Sequence, residues 1–203
     1  METSQKSGTA SKTLRNRSVF TAFFAALIAV TCFISIPVGI LGVPIVLQNM
    51  FVILAGALLG SVQGAAAVGL FIVAGALGLP VFAGGRGGFA VLAGPTGGYL
   101  AGYFIGSLTT GLILGRPKVA EKKASLWQYL KIMGAALAGF AIIDVLGAFH
   151  LMRLNSLTPL AAVMMGIVPF APGDLIKAAL LIPLTAQLRP IAARYIGDDI
   201  QER

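Results

Sequence analysis

Gly84-Gly-Arg-Gly-Gly-Phe-Ala-Val-Leu-Ala-Gly-Pro-Thr-Gly-Gly-Tyr99 holds seven glycines and a proline, and it lies between two strongly apolar segments. In lipid, irregular glycine-rich backbone is tolerated only where protein covers it or where it lines a cavity. Arg86, in the middle, carries a charge that is costly near a bilayer unless it is paired or hydrated. The stretch therefore predicts a polar site at one end of a membrane bundle. A second polar island, Pro169-Phe-Ala-Pro-Gly-Asp-Leu-Ile-Lys177, opens another apolar run and sets an acid and a base three residues apart.

The apolar context extends over the whole chain. Hydrophobic residues make up 57% of the 203 residues and charged residues 11%, and the mean hydropathy is +0.91. A soluble domain of this size carries roughly a quarter charged residues, so the chain is predicted to be an all-α integral membrane protein of one domain. Runs long enough to cross a bilayer, about 17–25 residues, fall near 18–36, 89–114, 126–150 and 170–188. The long run from Val43 to Leu79, interrupted by Gly60-Ser-Val-Gln-Gly64, accommodates two more crossings near 46–60 and 63–78. Six helices result, with both termini on one side. A basic tail is predicted at 1–17, a transmembrane substrate-binding domain at 18–190 and a second tail at 191–203. The first span begins without a small-residue cleavage signature, so no removable signal peptide is expected.

The net charge of +8 does not point to nucleic acid, because the basic residues cluster at span ends rather than among aromatics on a polar face. Lys6, Lys12, Arg15 and Arg17 precede the first span. Arg116, Lys118, Lys122 and Lys123 follow the fourth, and Arg189, Arg194 and Arg203 follow the sixth. In a six-span arrangement these share one face, and only Arg86 and Arg153 lie on the other. The positive-inside rule then puts both termini in the cytoplasm. Three outer connections remain, near Ser35–Leu47, Leu79–Phe89 and Leu151–Pro169, and two of them carry the polar islands.

Asp174 and Lys177 are the first candidates for chemistry. A helix is expected from Asp174, after Pro172-Gly173, to about Leu188. Asp174 then either caps that helix with Lys177 as its i,i+3 partner, or the two form the polar face of a small-molecule pocket. Arg86 is either a solvated loop residue or a ligand contact on a glycine-rich flap. Gln48 and Asn49, at the start of the short second span, suit a ligand that both donates and accepts, or they simply face head groups. Asp144 fits three roles: a protonated core residue, a partner of Lys131 or Lys177, or a ligand group. Tyr99, Tyr103 and Phe89 suit a pocket wall or an interfacial belt. On the first helix, Ala22 with Ala26 and Ala25 with Ala29 make small-x-x-x-small spacings that let another membrane helix approach closely.

Several chemistries have no residues to carry them. There is no G-x-x-x-x-G-K-[ST] loop for ATP. One histidine and one cysteine, Cys32, are too few for a metal site or a disulfide framework. No Ser/His/Asp set suggests an enzyme. Binding or transport is favoured over catalysis.

Four ordered segments then converge on one family. Leu79-Pro-Val-Phe-Ala-Gly-Gly-Arg-Gly-Gly88, Leu92-Ala-Gly-Pro-Thr-Gly-Gly-Tyr-Leu100, Val43-Pro-Ile-Val-Leu-Gln48 and Pro172-Gly-Asp-Leu-Ile-Lys177 resemble BioY, the biotin-specific substrate-binding (S) component of energy-coupling-factor (ECF) transporters. Val46 departs from the hydroxyl residue expected at its position. The resemblance implies six helices in a bacterial plasma membrane, with both termini cytoplasmic and biotin held near the outer surface. Its implied partners are a transmembrane coupling protein and a pair of cytosolic ATPases, which alone use ATP. The chain itself needs no cofactor. Ala22, Ala25, Ala26 and Ala29 match the family's docking surface for the coupling protein. In such a pocket Asp174 is expected to accept from the biotin ureido N–H groups, with Lys177 or Arg86 meeting its carboxylate. Gln48 or Asn49 then faces the ureido carbonyl, with Tyr99 in the wall. The competing expectation is an ion-coupled secondary transporter of a small anionic metabolite that uses Asp144 or Asp174 as its proton site.

Overall fold

A computed structural model describes residues 2–36, 43–118 and 125–196, with side chains from Thr13 onward. Lys122, Lys123 and Arg203, and the side chains of Lys6 and Lys12, lie outside the described residues. Among the described residues the regular structure is helical apart from one short strand pair and an isolated bridge between Phe82 and Arg86. In order, it contains α1 (Glu2–Val30), a 3-10 turn (Thr31–Phe33), β1 (Ser35–Ile36), β2 (Ile45–Val46), α2 (Gln48–Leu59) and α3 (Ser61–Ala76). These are followed by α4 (Phe89–Ala93), α5 (Gly97–Leu114), α6 (Leu126–Leu154), α7 (Pro159–Gly166) and α8 (Ala171–Ile196). β1 and β2 pair antiparallel, with Ser35 opposite Val46. α1 continues back through the segment read as an N-terminal tail, and α8 continues forward to Ile196 in the segment read as the C-terminal one.

Four described segments are long and apolar enough to cross a bilayer: Thr13–Phe33, Gly97–Leu114, Leu126–Leu154 and Ala171–Ile196. α2 and α3 are apolar but shorter. Large apolar side chains remain exposed on the outer faces of these helices, among them Val19, Phe23, Leu112, Val145, Leu175 and Leu180. A water-soluble bundle would bury such residues, whereas a lipid-facing one presents them.

Two local boundaries differ from the sequence reading. The run 89–114 is not one helix, because Pro95 breaks it. The residue before a proline is driven out of the α region, and Gly94 is extended (φ −85°, ψ −171°). α4 ends there and α5 begins at Gly97. The last helix starts at Ala171 rather than Asp174. Pro172 falls within its first turn, where the missing N–H costs nothing, and Asp174 accordingly lies inside the helix instead of capping it.

Glycine sets how closely the helices approach. A Cβ at Gly102 would sit 2.7 Å from Ile143 Cα, and one at Gly106 would sit 2.9 Å from the Gly139 carbonyl oxygen. This brings α5 and α6 into near backbone contact, the geometry expected of small residues in membrane packing. Gly60 (φ +83°) closes α2 and opens α3 in a conformation that side-chain-bearing residues rarely adopt.

The helices alternate in direction around one end of the bundle. The Ile28 carbonyl near the end of α1 meets Gln48 at the start of α2. The C-terminal half of α6 and the first turns of α5 and α8 converge on the same region. At the opposite end lies Arg189, grouped by sequence with the tail charges but buried within α8 at 5% exposure. Its guanidinium donates to the carbonyls of Ala57 (2.7 Å), Leu114, Gly115 and Arg116.

Candidate functional site: a polar triangle in an apolar cleft

The convergent end forms a partly open cleft between α2, α5, α6 and α8. Its wall is largely apolar and aromatic: Val43, Pro44, Val46, Phe82, Ala83, Leu100, Tyr103, Ile143 and Phe170, with Thr96 and Tyr99. Gln48, Asn49, Asp144 and Lys177 are its further polar members.

Three of the predicted site residues form a closed triangle. Asn49 Nδ2 donates to Asp174 Oδ1 (2.9 Å), Lys177 Nζ donates to the same oxygen (2.8 Å), and Lys177 Nζ also donates to Asn49 Oδ1 (2.9 Å). Helix periodicity brings Asp174 and Lys177 to one face of α8 as an i,i+3 pair, and α2 supplies Asn49 from across the bundle. All three are buried. A buried ion pair is tolerable only with good geometry and further hydrogen bonds, and Asn49 provides those to both partners. Asp174 is not on the cleft wall, so it holds Asn49 and Lys177 from behind. Lys177 is on the wall, and two of its three donors are used within the triangle, leaving one for a ligand. Asp174 Oδ2 is buried with no hydrogen-bond partner.

Gln48 is almost fully buried, and Nε2 donates to the carbonyls of Ile28 (3.1 Å) and Val81 (2.8 Å). Both amide hydrogens thus tie the end of α1 and the glycine-rich loop to the start of α2. Tyr99 donates its hydroxyl to the Gly166 carbonyl (2.7 Å) and packs edge-on against Phe170. The site therefore spans both polar islands and α7. Arg86 stands apart: it is exposed, does not line the cleft, and its Nε donates to the Ala83 carbonyl (3.1 Å). It caps a tight hairpin in which Phe82 and Arg86 exchange backbone hydrogen bonds and Gly84 bonds the Cys32 carbonyl. Positive φ at Gly84 and Gly85 makes that turn possible. Two residues of the hairpin, Phe82 and Ala83, wall the cleft, so Arg86 sits at the cleft's border.

Asp144 lines the cleft, close enough to interact with Asp174 and Lys177. Lys131 is exposed near the start of α6, about 20 Å along the helix from Asp144, so the Lys177 side is the one Asp144 meets. His150 joins its Nε2 to the Gly94 carbonyl (3.0 Å) and so braces the break between α4 and α5. On α1, Ala22 and Ala26 are exposed, and Ala25 and Ala29 are half-buried.

A model of the BioY family matches residues 3–194. The chain belongs to the BioY family. Among BioY relatives, the biotin transporter BioY of Thermotoga maritima is 41% identical over 169 residues, covering 83% of this chain and 92% of the relative. That of Rhodobacter capsulatus is 42% identical over 181 residues, with the same coverage. The fold is similar to a crystal structure at 2.1 Å of the S-component for biotin from an ECF-type ABC transporter. The TM-score is 0.76 at 34% identity, covering 90% of this chain and 93% of that one.

Proposed function

We propose that this BioY-family chain captures biotin at the outer face of the bacterial plasma membrane and delivers it inward as the S component of an ECF transporter. Its partners are a transmembrane coupling protein and a pair of cytosolic ATPases. The observation that carries this reading is the Asn49–Asp174–Lys177 triangle set in an otherwise apolar cleft. Biotin has the matching chemistry: a ureido group with two donors and one acceptor, an apolar thiophane ring and a carboxylate tail. Lys177 and Asn49 meet the polar edge of the ligand, and Asp174 orients both. Tyr99, Tyr103 and Phe170 bury the ring system. Gln48 anchors the loop over the cleft, and Arg86 at its border attracts the carboxylate. Tight binding then comes from burying apolar surface around a few hydrogen-bonded polar groups.

The membrane arrangement follows from the same elements. Six crossings are made by α1, α2, α3, α4 with α5, α6 and α8, with both termini cytoplasmic, as the basic clusters favour. α2, at 12 residues, reaches only about 18 Å, short of the ~30 Å hydrocarbon core. The extended segment 43–47 supplies the remaining length, and its irregular backbone is acceptable because it lines the cleft. The exposed Ala22 and Ala26, with Ala25 and Ala29 beside them, form the docking surface for the coupling protein.

The presence of Asp144 and Asp174 around one cleft supports a single alternative, proton-coupled uptake. Energy depletion distinguishes the two readings. Cells expressing the chain with its module lose biotin uptake on ATP depletion and keep it under an uncoupler while ATP is maintained. The reverse pattern overturns the ATP-driven reading and makes the carboxylates a proton site.

A further inference from the structure

The docking helix α1 meets the cleft at one end, where Gln48 donates to the Ile28 carbonyl, and one side chain ties the cleft-bearing helices together at the other end. Lys177, Asn49 and Tyr99 lie within the first two turns of α8, α2 and α5. Toward the far ends of the same helices, Arg189 of α8 donates to Ala57 of α2, to Leu114 of α5 and to Gly115 just after it. From Lys177 to Arg189 is about 18 Å along the helix. Terminal carbonyls of a helix lack intrahelical partners and lie at its negative end, so a buried cation is well suited to them. The guanidinium is planar, permanently charged and carries five donors, so it can bridge two helix ends where an ammonium cannot. The far end of α8 is tied in turn to the docking helix. Asn16 Nδ2 donates to the Tyr195 carbonyl (3.1 Å), Arg17 Nε donates to the Ile196 carbonyl (3.1 Å), and Phe20 packs on Tyr195.

We propose that Arg189 is a positioning residue that holds α2, α5 and α8 as one body, so that displacement applied through α1, whose following turn is bonded to the hairpin at Gly84, moves the cleft walls at Val43, Pro44, Phe82 and Ala83 against that body and releases the ligand. This role rests on the biotin-uptake reading above. Arg189 does not line the cleft, and the Asn49–Asp174–Lys177 hydrogen bonds do not involve it. Its loss therefore affects release more than capture.

The experiment uses the full chain with its coupling protein and ATPases in membranes, comparing wild type with Arg189→Gln and Arg189→Lys. Biotin affinity of each purified chain is measured beside KM and Vmax of uptake. Affinity and KM stay within about threefold of wild type, as for changes at distant sites. Vmax falls by about tenfold in Arg189→Gln, a size typical of residues that carry coupling between sites. Arg189→Lys, which keeps the charge without the fork, recovers only a minor part of it. An unchanged Vmax overturns the proposal, and so does a loss of affinity that parallels the loss of uptake, because that is the signature of a merely structural contact. If Arg189→Gln does not accumulate in the membrane, the lysine variant decides by the same criteria. A wild-type chain that takes up no biotin overturns the uptake reading itself, a result distinct from a transporting wild type matched by its variants.

Discussion

Replacing Lys177 by methionine weakens biotin binding by about ten- to a hundredfold, because a hydrogen bond to a charged group is worth ~1.5–3 kcal/mol. The same change also lowers the melting temperature. Lys177 is the cation facing Asp174, and removing it leaves a buried carboxylate held only by Asn49, a situation that costs ~3–5 kcal/mol. The two effects separate in a double variant. Lys177→Met with Asp174→Asn removes both charges, so stability recovers much of its loss, since a buried pair can often be replaced at little cost. Biotin affinity stays low, because the donor on the cleft wall is still missing. Titration of labelled biotin beside thermal melting of the three proteins checks this. Affinity that returns together with stability would show that Lys177 supports the fold without meeting the ligand.

The second large effect is expected at Gly147, which touches no ligand. A Cβ there would collide with the Tyr99 ring. Cores that are this tightly packed lose ~1–3 kcal/mol on insertion of extra atoms. The ring cannot retreat freely, because its hydroxyl is bonded to the Gly166 carbonyl and its edge meets Phe170. Gly147→Ala therefore displaces an aromatic wall of the cleft, lowering the melting temperature by several degrees and biotin affinity by about tenfold, one displaced contact's worth. Combining Gly147→Ala with Tyr99→Leu makes room for the methyl, so the melting temperature rises again while affinity remains reduced. A Gly147→Ala chain with wild-type melting and affinity would mean that α6 can shift away from Tyr99, contrary to the close packing of α5 on α6.

What the sequence disclosed was local. The apolar runs located the long helices, and the two polar islands held four of the cleft's lining residues, Thr96, Tyr99, Phe170 and Lys177, because span length and out-of-place polar residues leave marks within a short window. The i,i+3 spacing of Asp174 and Lys177 was visible in the same way. Asn49 as their common partner was not, since it lies 125 and 128 residues away in the chain and no periodicity reports such a distance. Asp144 had three open roles for the same reason, and only the packing of α6 against α5 and α8 turned it toward the cleft. Arg189 was misleading in its local context. Next to Pro190 and close to the chain end it reads as a membrane-surface charge, whereas its partners come from helix ends 73 to 132 residues earlier. The break at Pro95 was legible in Gly94-Pro95 itself, but the unbroken hydropathy on both sides hid it within one span.

The most direct test of the account is equilibrium binding of labelled biotin to the purified chain in detergent, with thiamine and riboflavin as controls. Saturable, nanomolar binding of biotin, undiminished by excess thiamine or riboflavin, is the predicted result. Folded protein that binds no biotin, or that binds all three vitamins alike, would contradict it.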